Sequence, residues 1–318
     1  MYKNKKIAVI VPAYNEEKLI LKSISSIPEY VDKIIVVDDN SKDNTPNILD
    51  LIKQDFSDRL VIINHQENEG VGKAIKSGYK KSMELDMDIS AVIAGDAQMD
   101  PEELYRLLDP IIDEKTDYTK GNRLTHKDKI KMPKHRAFGN GLLTFLTKIS
   151  SGYWNIIDPQ NGYTAISNKA LSSIPVDEVY NSYGYPNDLL IKLNIAKQKV
   201  MDIEMPPIYG NEKSGIKLGR YSFRLTGLLI KGFFKRIWKE YGGVNFHPLF
   251  LFYLIGLILF PIGLLLSFIV LYYRLFGGSY SIGTVILTAL LLIMGLQSFI
   301  FAMLFDMESN KDLLDRKP

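Results

Sequence analysis

The 318-residue chain predicts an α/β domain with a mostly parallel, doubly wound sheet, followed by an amphipathic interfacial helix and a two-helix transmembrane hairpin. Three observations predict it. Short β-branched runs alternate with helical patterns through about residue 202, which is the sequence form of right-handed strand–helix–strand units. Several of these runs end in acids or amides, and in such sheets ligands bind beyond the C-terminal strand ends. From Pro248 onward, two long apolar stretches are broken only by a short turn around Arg274, Gly277 and Gly278.

The composition narrows the classes. Lys+Arg 39 against Asp+Glu 36 gives no bulk basic charge for nucleic acid. The absence of cysteine excludes disulfides, thiolate metal sites and a cysteine nucleophile. A mean hydropathy of -0.02 averages a polar front with an apolar back. Lys3, Lys5 and Lys6 precede an apolar run too short for a secretory signal, so the N-terminal domain is expected in the cytosol.

The first run, residues 6–11, has the length and content of a buried strand. Pro12 is expected to stop it. Tyr14 offers a flat face to a base, and Glu16 an acceptor to a ribose or base; taken alone, the stretch also reads as an ordinary strand-to-helix loop. Residues 33–37 form a second strand ending in Asp38 and Asp39. Two adjacent acids repel, so one is expected to orient the loop while the other meets a ribose or a base N–H. Asp43, Asn44 or Thr45 then caps a helix with Pro46 in its first turn. Residues 60–64 form a third strand. Gly70, Gly72 and Lys73 follow at a helix start, a pattern that favours an anion without matching a Walker loop.

The fourth strand, residues 91–94, gives way at Gly95 to Asp96 and Gln98. A carboxylate and an amide two residues apart are a hard-oxygen pair suited to Mg²⁺ or Mn²⁺ carried on a diphosphate. A helix at 101–108 and a fifth strand at 117–119 lead into Lys120-Gly121-Asn122-Arg123. Residues 130–136 read as a basic loop and 139–149 as an apolar helix. Residues 158–163 are turn-rich, with polar side chains at Gln160 and Asn161. A helix at 189–196 and a last strand at 200–205 follow.

Residues 209–220 hold three glycines with Lys213, Lys217 and Arg220. The helix at 223–241 is amphipathic and basic, suited to the headgroup layer. The uncharged runs 248–273 and 280–305 each exceed the roughly 20 residues a bilayer core requires. Positive charge ahead of the first span puts that side in the cytoplasm. The division expected is 1–220 catalytic domain, 221–246 interfacial helix and linker, 247–306 two spans, and 307–318 cytoplasmic tail.

The motifs VPAYNE at 11–16, VVDDNSKDNT at 36–45, NEGVGKA at 68–74, GDAQMDP at 95–101 and KGNR at 120–123 resemble those of family 2 glycosyltransferases with a GT-A (Rossmann-like) fold. Within that family the chain looks most like the dolichyl-phosphate mannose synthase-like, polyprenyl-phosphate branch. The resemblance covers about the first 220 residues and continues into the paired spans of membrane-anchored members. It implies a nucleotide pocket of Pro12, Tyr14, Glu16, Asp38, Asp39 and Lys73, closed by Asp96. It also implies a metal held by Asp96 and Gln98. Arg123 and Arg136 would meet the acceptor phosphate or donor diphosphate, Gln160 and Asn161 would lie beside the sugar, and Lys217 and Arg220 would form a membrane-proximal phosphate clamp. One departure stands out: members usually carry an acid two residues before Asp96, and this chain has Ala94.

The reaction so implied moves a hexose, with inversion, from a GDP- or UDP-sugar to a polyprenyl (dolichyl-type) phosphate. A phosphate nucleophile is already ionised and needs no strong base. None of the four histidines, His65, His126, His135 and His247, is expected to be one; Asp188 is the candidate base if the acceptor is a hydroxyl. The alternatives are transfer to another lipid or glycan, and a non-catalytic membrane-anchored nucleotide-sugar binder motivated by Ala94. The QxxRW motif of processive synthases is absent.

Overall fold

The computed structural model of the chain describes residues 1–96, 98–125, 134–206, 218–242 and 247–314, without the side chains of 134–138 and 218–222. The described strands are β1 (Ile7–Ala13), β2 (Lys33–Asp38), β3 (Leu60–Asn64), β4 (Ile89–Val92), β5 (Tyr118–Asn122), β6 (Thr164–Ser167) and β7 (Val200–Glu204). They form one seven-stranded sheet in the order β3-β2-β1-β4-β6-β5-β7.

The β-branched runs become the centre of this sheet because both of its faces are covered. Along β1, Ile7, Val9 and Val11 enter one core with Ile24, Leu49 and Leu107. Ala8 and Ile10 enter the other with Ile75, Tyr79 and Leu190. These helical residues belong to α1 (Ile20–Ser25), α2 (Thr45–Ile52), α3 (Val71–Glu84), α4 (Leu104–Ile112) and α7 (Tyr185–Ile195). Two further helices intervene in the chain, α5 (Lys134–Ser151) and the short α6 (Asn168–Ser172).

The pairings β1–β2, β1–β4, β2–β3 and β5–β7 are parallel. Strand β6, which the sequence pattern did not announce, is antiparallel to both β4 and β5. The strand expected to end at Pro12 also continues, with Pro12 paired beside Val37. The Ala13 carbonyl turns toward β2 to accept from Asp39, so the Pro12 nitrogen turns toward β4. Strand β4 pairs with β1 only as far as Ile10, and no ladder bond is lost to the missing N–H.

The chain divides into two compact units, Met1–Phe233 with Asp312–Pro318, and Phe234–Lys311. The division between them falls inside α8 (Leu218–Ile237). The tail rejoins the first unit, where Leu314 bridges Val200.

The second unit is built on α9 (Pro248–Leu275) and α10 (Ile282–Ser309), with mean hydropathies of 2.8 and 2.4 over their most apolar windows. Only 11% and 22% of those windows is buried inside the protein, so the hairpin presents its apolar surface outward, as a lipid solvent requires. The two helices touch through glycines: a Cβ on Gly295 would come within 2.6 Å of the Phe260 backbone, and one on Gly263 within 2.9 Å of the Leu292 backbone. At the base of this unit, Arg236 and Asp306 form a fully buried ion pair at 2.7 Å.

Candidate active site

In this strand order the chain runs from β1 outward through β2 to β3, then crosses to place β4 on the other side of β1. The crevice beyond β1 and β4 is therefore the topological switch point, where such sheets bind ligands. The β1 exit brings Pro12, Tyr14 and Glu16 there, and the β4 exit brings Ala94, Asp96 and Gln98. Two cavities open side by side. One, of about 380 Å³, is lined by Pro12, Tyr14, Glu16, Asp39, Gly70 and Asp96, among others. The second, of about 250 Å³, is lined by Pro12, Asp96, Gln98, Arg123, Gln160 and Asn161, with Tyr163, Tyr183 and Tyr185. Asp96 is common to both.

The Asp96 Oδ1 accepts the Gln98 backbone N–H at 3.0 Å. Burial raises the Asp96 carboxyl above the usual carboxylate range, against the pull of that N–H and of the Arg123 charge. An anion in that position favours a cation beside it. Among the described residues no group of three or more His, Asp or Glu side chains gathers to hold a metal. Asp96 and Gln98, the expected pair, line the second cavity together with the carboxylates of Asp100 and Glu103, and Ala94 offers no side-chain ligand.

Arg123 leaves the end of β5 and is gripped by Asp158, whose carboxylate accepts from Nε at 2.9 Å and from Nη2 at 3.3 Å. Asp158 is buried, so the guanidinium is fixed at the wall of the second cavity. Gln160 donates to the Asn187 Oδ1 at 2.9 Å. Asn161 also lines this cavity, but its side chain clips the turn: Nδ2 donates to the Gly121 carbonyl at 2.7 Å and Oδ1 accepts from the Tyr163 N–H at 3.0 Å. Beneath it lies Lys120, wholly buried and donating to the Asn161 carbonyl. Burial pushes the Lys120 ammonium down to about 8, partly offset by Asp158 and Asp202. Burial likewise pushes the Asp202 carboxyl up to about 6.

Three expected site residues lie elsewhere. Asp38 lines neither cavity; it is buried and accepts from the Ser41 hydroxyl and backbone N–H, making it the acid that orients the loop. Lys73 lines neither cavity and pairs with Glu69 at 3.1 Å. The glycines near it meet close backbone: a Cβ at Gly72 would come within 2.1 Å of the Tyr180 carbonyl oxygen, and Gly70, which lines the first cavity, has a φ of +95. Asp188 is buried in α7, paired with Lys192 at 2.6 Å and accepting the Tyr180 N–H at 2.8 Å; it is not brought to either cavity.

Lys217 lies outside the described residues, as do the side chains of Arg136 and Arg220; the backbone of Arg136 belongs to α5 rather than to a loop. The sequence reading gave no role to Asp158, whose partner lies 35 residues away. His65, in the loop that follows β3, sets its side chain against Asp39 at 2.7 Å.

Two cavities that share Asp96 at the switch point of the sheet, one of them lined by Arg123, make a ligand-binding crevice of the doubly wound α/β class. More narrowly, the chain belongs to Glycosyl transferase family 2, whose sequence profile matches residues 8–174. A UDP-N-acetylglucosamine–dolichyl-phosphate N-acetylglucosaminyltransferase of Methanococcus voltae is 33% identical over 218 residues, spanning 64% of this chain and 85% of that one. A dolichyl-phosphate β-glucosyltransferase of Trichomonas vaginalis is 26% identical over 231 residues, spanning 67% and 68%. The fold is shared with glucosyl-3-phosphoglycerate synthase of Mycobacterium tuberculosis, solved with Mn²⁺ and UDP (TM-score 0.53, 22% identity, 72% and 80% of the two chains). It is also shared with a mannosyltransferase of Pyrobaculum calidifontis, solved with GDP-mannose and Mn²⁺ (TM-score 0.51, 18% identity, 74% and 65%).

Proposed function

We propose that this glycosyltransferase moves a hexose from a nucleotide-diphosphate sugar to a polyprenyl phosphate at the cytoplasmic face of a membrane. The observation that carries the reading is the meeting of the two cavities at Asp96. A nucleotide in the larger cavity directs its diphosphate toward Asp96, and the acceptor phosphate enters the smaller one beside Arg123. The names of the two relatives support the lipid phosphate as acceptor. The uncharged helices α9 and α10 support an enzyme held where such a lipid resides. The cations Lys231, Lys235, Arg236 and Lys239 ahead of the first span support a cytoplasmic catalytic face.

The raised Asp96 carboxyl fits a divalent cation, Mg²⁺ or Mn²⁺, held by Asp96 and Gln98 and completed by diphosphate oxygens and water. Bound there, the cation would neutralise charge on the leaving diphosphate. The remaining work falls to the chain. Arg123, locked by Asp158, orients the acceptor phosphate and offsets its repulsion from the donor, which is catalysis by position and electrostatics. Arg136, Lys217 and Arg220 complete the phosphate clamp. A phosphate monoester is mostly ionised at neutral pH, so Asp188 is not required as a base. Direct attack on the anomeric carbon inverts it.

The test is transfer from a panel of labelled nucleotide sugars to polyprenyl phosphate in vesicles containing the full chain. A lipid-linked sugar that forms only with a divalent cation supports the reading. Transfer to a hydroxyl acceptor alone overturns it.

A further inference from the structure

Tyr185 opens α7 and is 5% exposed, with its ring in the core beside Tyr79, Tyr153 and Leu189. Among the described residues its hydroxyl has no hydrogen-bond partner. The hydroxyls of Tyr79 and Tyr118 are unpaired too, but no solvent reaches them. Tyr185 differs because it lines the second cavity, and its hydroxyl lies beside Gly162 in the same wall. A buried phenol left unpaired destabilises the fold relative to a phenylalanine there. A ligand in the cavity would supply the missing partner.

Gly162 shapes the place where that partner would sit. A Cβ built on it would be 3.3 Å from the Tyr185 hydroxyl and 3.4 Å from the Met99 methyl. The bare glycine therefore keeps a niche open between a hydroxyl and an apolar methyl. Of the described residues outside the turn itself, these two alone come within 4 Å of that point, and neither is charged. Burial holds the Tyr185 phenol above its ordinary value, so it is a neutral group that can both donate and accept. The niche is also held firmly. Gln160 Nε2 and Thr147 Oγ1 both donate to Asn187 Oδ1 at 2.9 Å, which ties the turn carrying Gly162 to the helix carrying Tyr185.

The charges of the cavity indicate which part of the substrates reaches this niche. Among the described lining residues Arg123 is the only cation, while Asp96, Asp100 and Glu103 are acids. A phosphate is drawn to Arg123 and repelled by the acids. The group transferred between a diphosphate at Asp96 and an acceptor phosphate at Arg123 lies between the two, and it is uncharged. Its hydroxyls can pair with a phenol, and its C–H face can rest on a methyl. Resting on the reading of this crevice as a glycosyltransferase site, we infer that Tyr185 binds the transferred hexose, its hydroxyl pairing with a sugar oxygen in the niche over Gly162.

The experiment compares Tyr185→Phe with the unaltered full chain, since the change removes one oxygen and keeps the ring in the core. Calorimetric titrations with Mn²⁺ measure UDP and GDP. Transfer to polyprenyl phosphate in vesicles is followed with UDP-glucose, UDP-N-acetylglucosamine and GDP-mannose. For each sugar that the unaltered chain transfers, kcat/KM for the donor should fall by about three- to tenfold, the worth of one neutral hydrogen bond. Affinity for the free nucleotide and KM for polyprenyl phosphate should not change. Gly162→Ala crowds the same niche and should lower donor kcat/KM in the same way. An unchanged donor kcat/KM in Tyr185→Phe overturns the proposal. A rise confined to the KM for polyprenyl phosphate also overturns it, by giving the hydroxyl to the acceptor. Equal weakening of free nucleotide and nucleotide sugar marks a merely structural tyrosine and overturns it as well. Those three results leave the glycosyltransferase reading in place, whereas transfer of none of the three sugars by the unaltered chain overturns both.

Discussion

Replacing Asp306 by alanine should be among the most damaging single changes outside the catalytic domain. The carboxylate accepts from Arg236 Nη1 at 2.7 Å and Nη2 at 2.9 Å, from the Tyr241 hydroxyl at 3.1 Å and from Asn310 Nδ2 at 3.0 Å. Neither side chain of the ion pair has any exposure. Burial works against the Arg236 charge, and the Asp306 carboxylate outweighs it, holding the guanidinium above its usual value. Without the Asp306 carboxylate, the buried cation loses its counter-charge, and the Tyr241 hydroxyl and Asn310 amide each lose one acceptor. Breaking a buried pair from one side costs about 3–5 kcal/mol. Replacing both members with apolar residues of similar volume avoids the stranded charge and costs much less. Reversible unfolding in mixed micelles, run as a double-mutant cycle of Asp306→Ala, Arg236→Met and their combination, measures this. Asp306→Ala should lose about 3–5 kcal/mol, and the double variant should be more stable than Asp306→Ala alone. A loss below about 1 kcal/mol, or two single losses that simply add, would refute the reasoning.

Three other outcomes follow from the same geometry. Asp158→Ala releases Arg123 and should slow transfer by about tenfold or more with nucleotide affinity unchanged, as measured by parallel transfer and binding assays. The folded chain keeps a proton on Asp202 up to about pH 6, where the unfolded chain releases it near 3.8; stability from this group is complete below 3.8 and lost as pH rises to about 6. Asp202→Asn removes that loss, so its stability relative to the unaltered chain should grow by about 1–3 kcal/mol across this window and then level off, as thermal unfolding at stepped pH will report. A chain ending before Pro248 should retain nucleotide binding and lose transfer to acceptor embedded in a bilayer; full-rate transfer by it would remove the proposed purpose of the hairpin.

The half of the sheet nearest the N-terminus was legible because its strands are buried on both faces, which leaves unbroken runs such as Ile34, Ile35, Val36 and Val37. Strand β6 was not: its four residues, Thr-Ala-Ile-Ser, follow a turn-rich stretch, and only its two neighbours define it. At the site, Tyr14, Glu16, Asp96 and Gln98, which line the cavities, each follow the end of a recognisable strand, while Pro12 lies within the end of β1. The choice between Asp38 and Asp39 needed the register. Asp38 pairs with Asn64, so the next residues, Asp39 and His65, emerge side by side from adjacent strands. That pairing is tertiary and leaves no local pattern. The Asp188–Lys192 pair, four residues apart on α7, and the Glu69–Lys73 pair, four apart across the start of α3, were readable in the sequence and argue against free roles for Lys73 and Asp188. Arg136, Lys217 and Arg220 remain proposals from the family resemblance.

The central claim is that Asp96 and Gln98 hold the cation that grips the donor diphosphate. Anomalous diffraction from crystals grown with Mn²⁺ and UDP tests it most directly. The account predicts a manganese peak within about 2.2 Å of an Asp96 oxygen and of the diphosphate, and its loss in Asp96→Ala. A diphosphate bound in the crevice with manganese absent from Asp96, or a peak that persists in the variant, would contradict it.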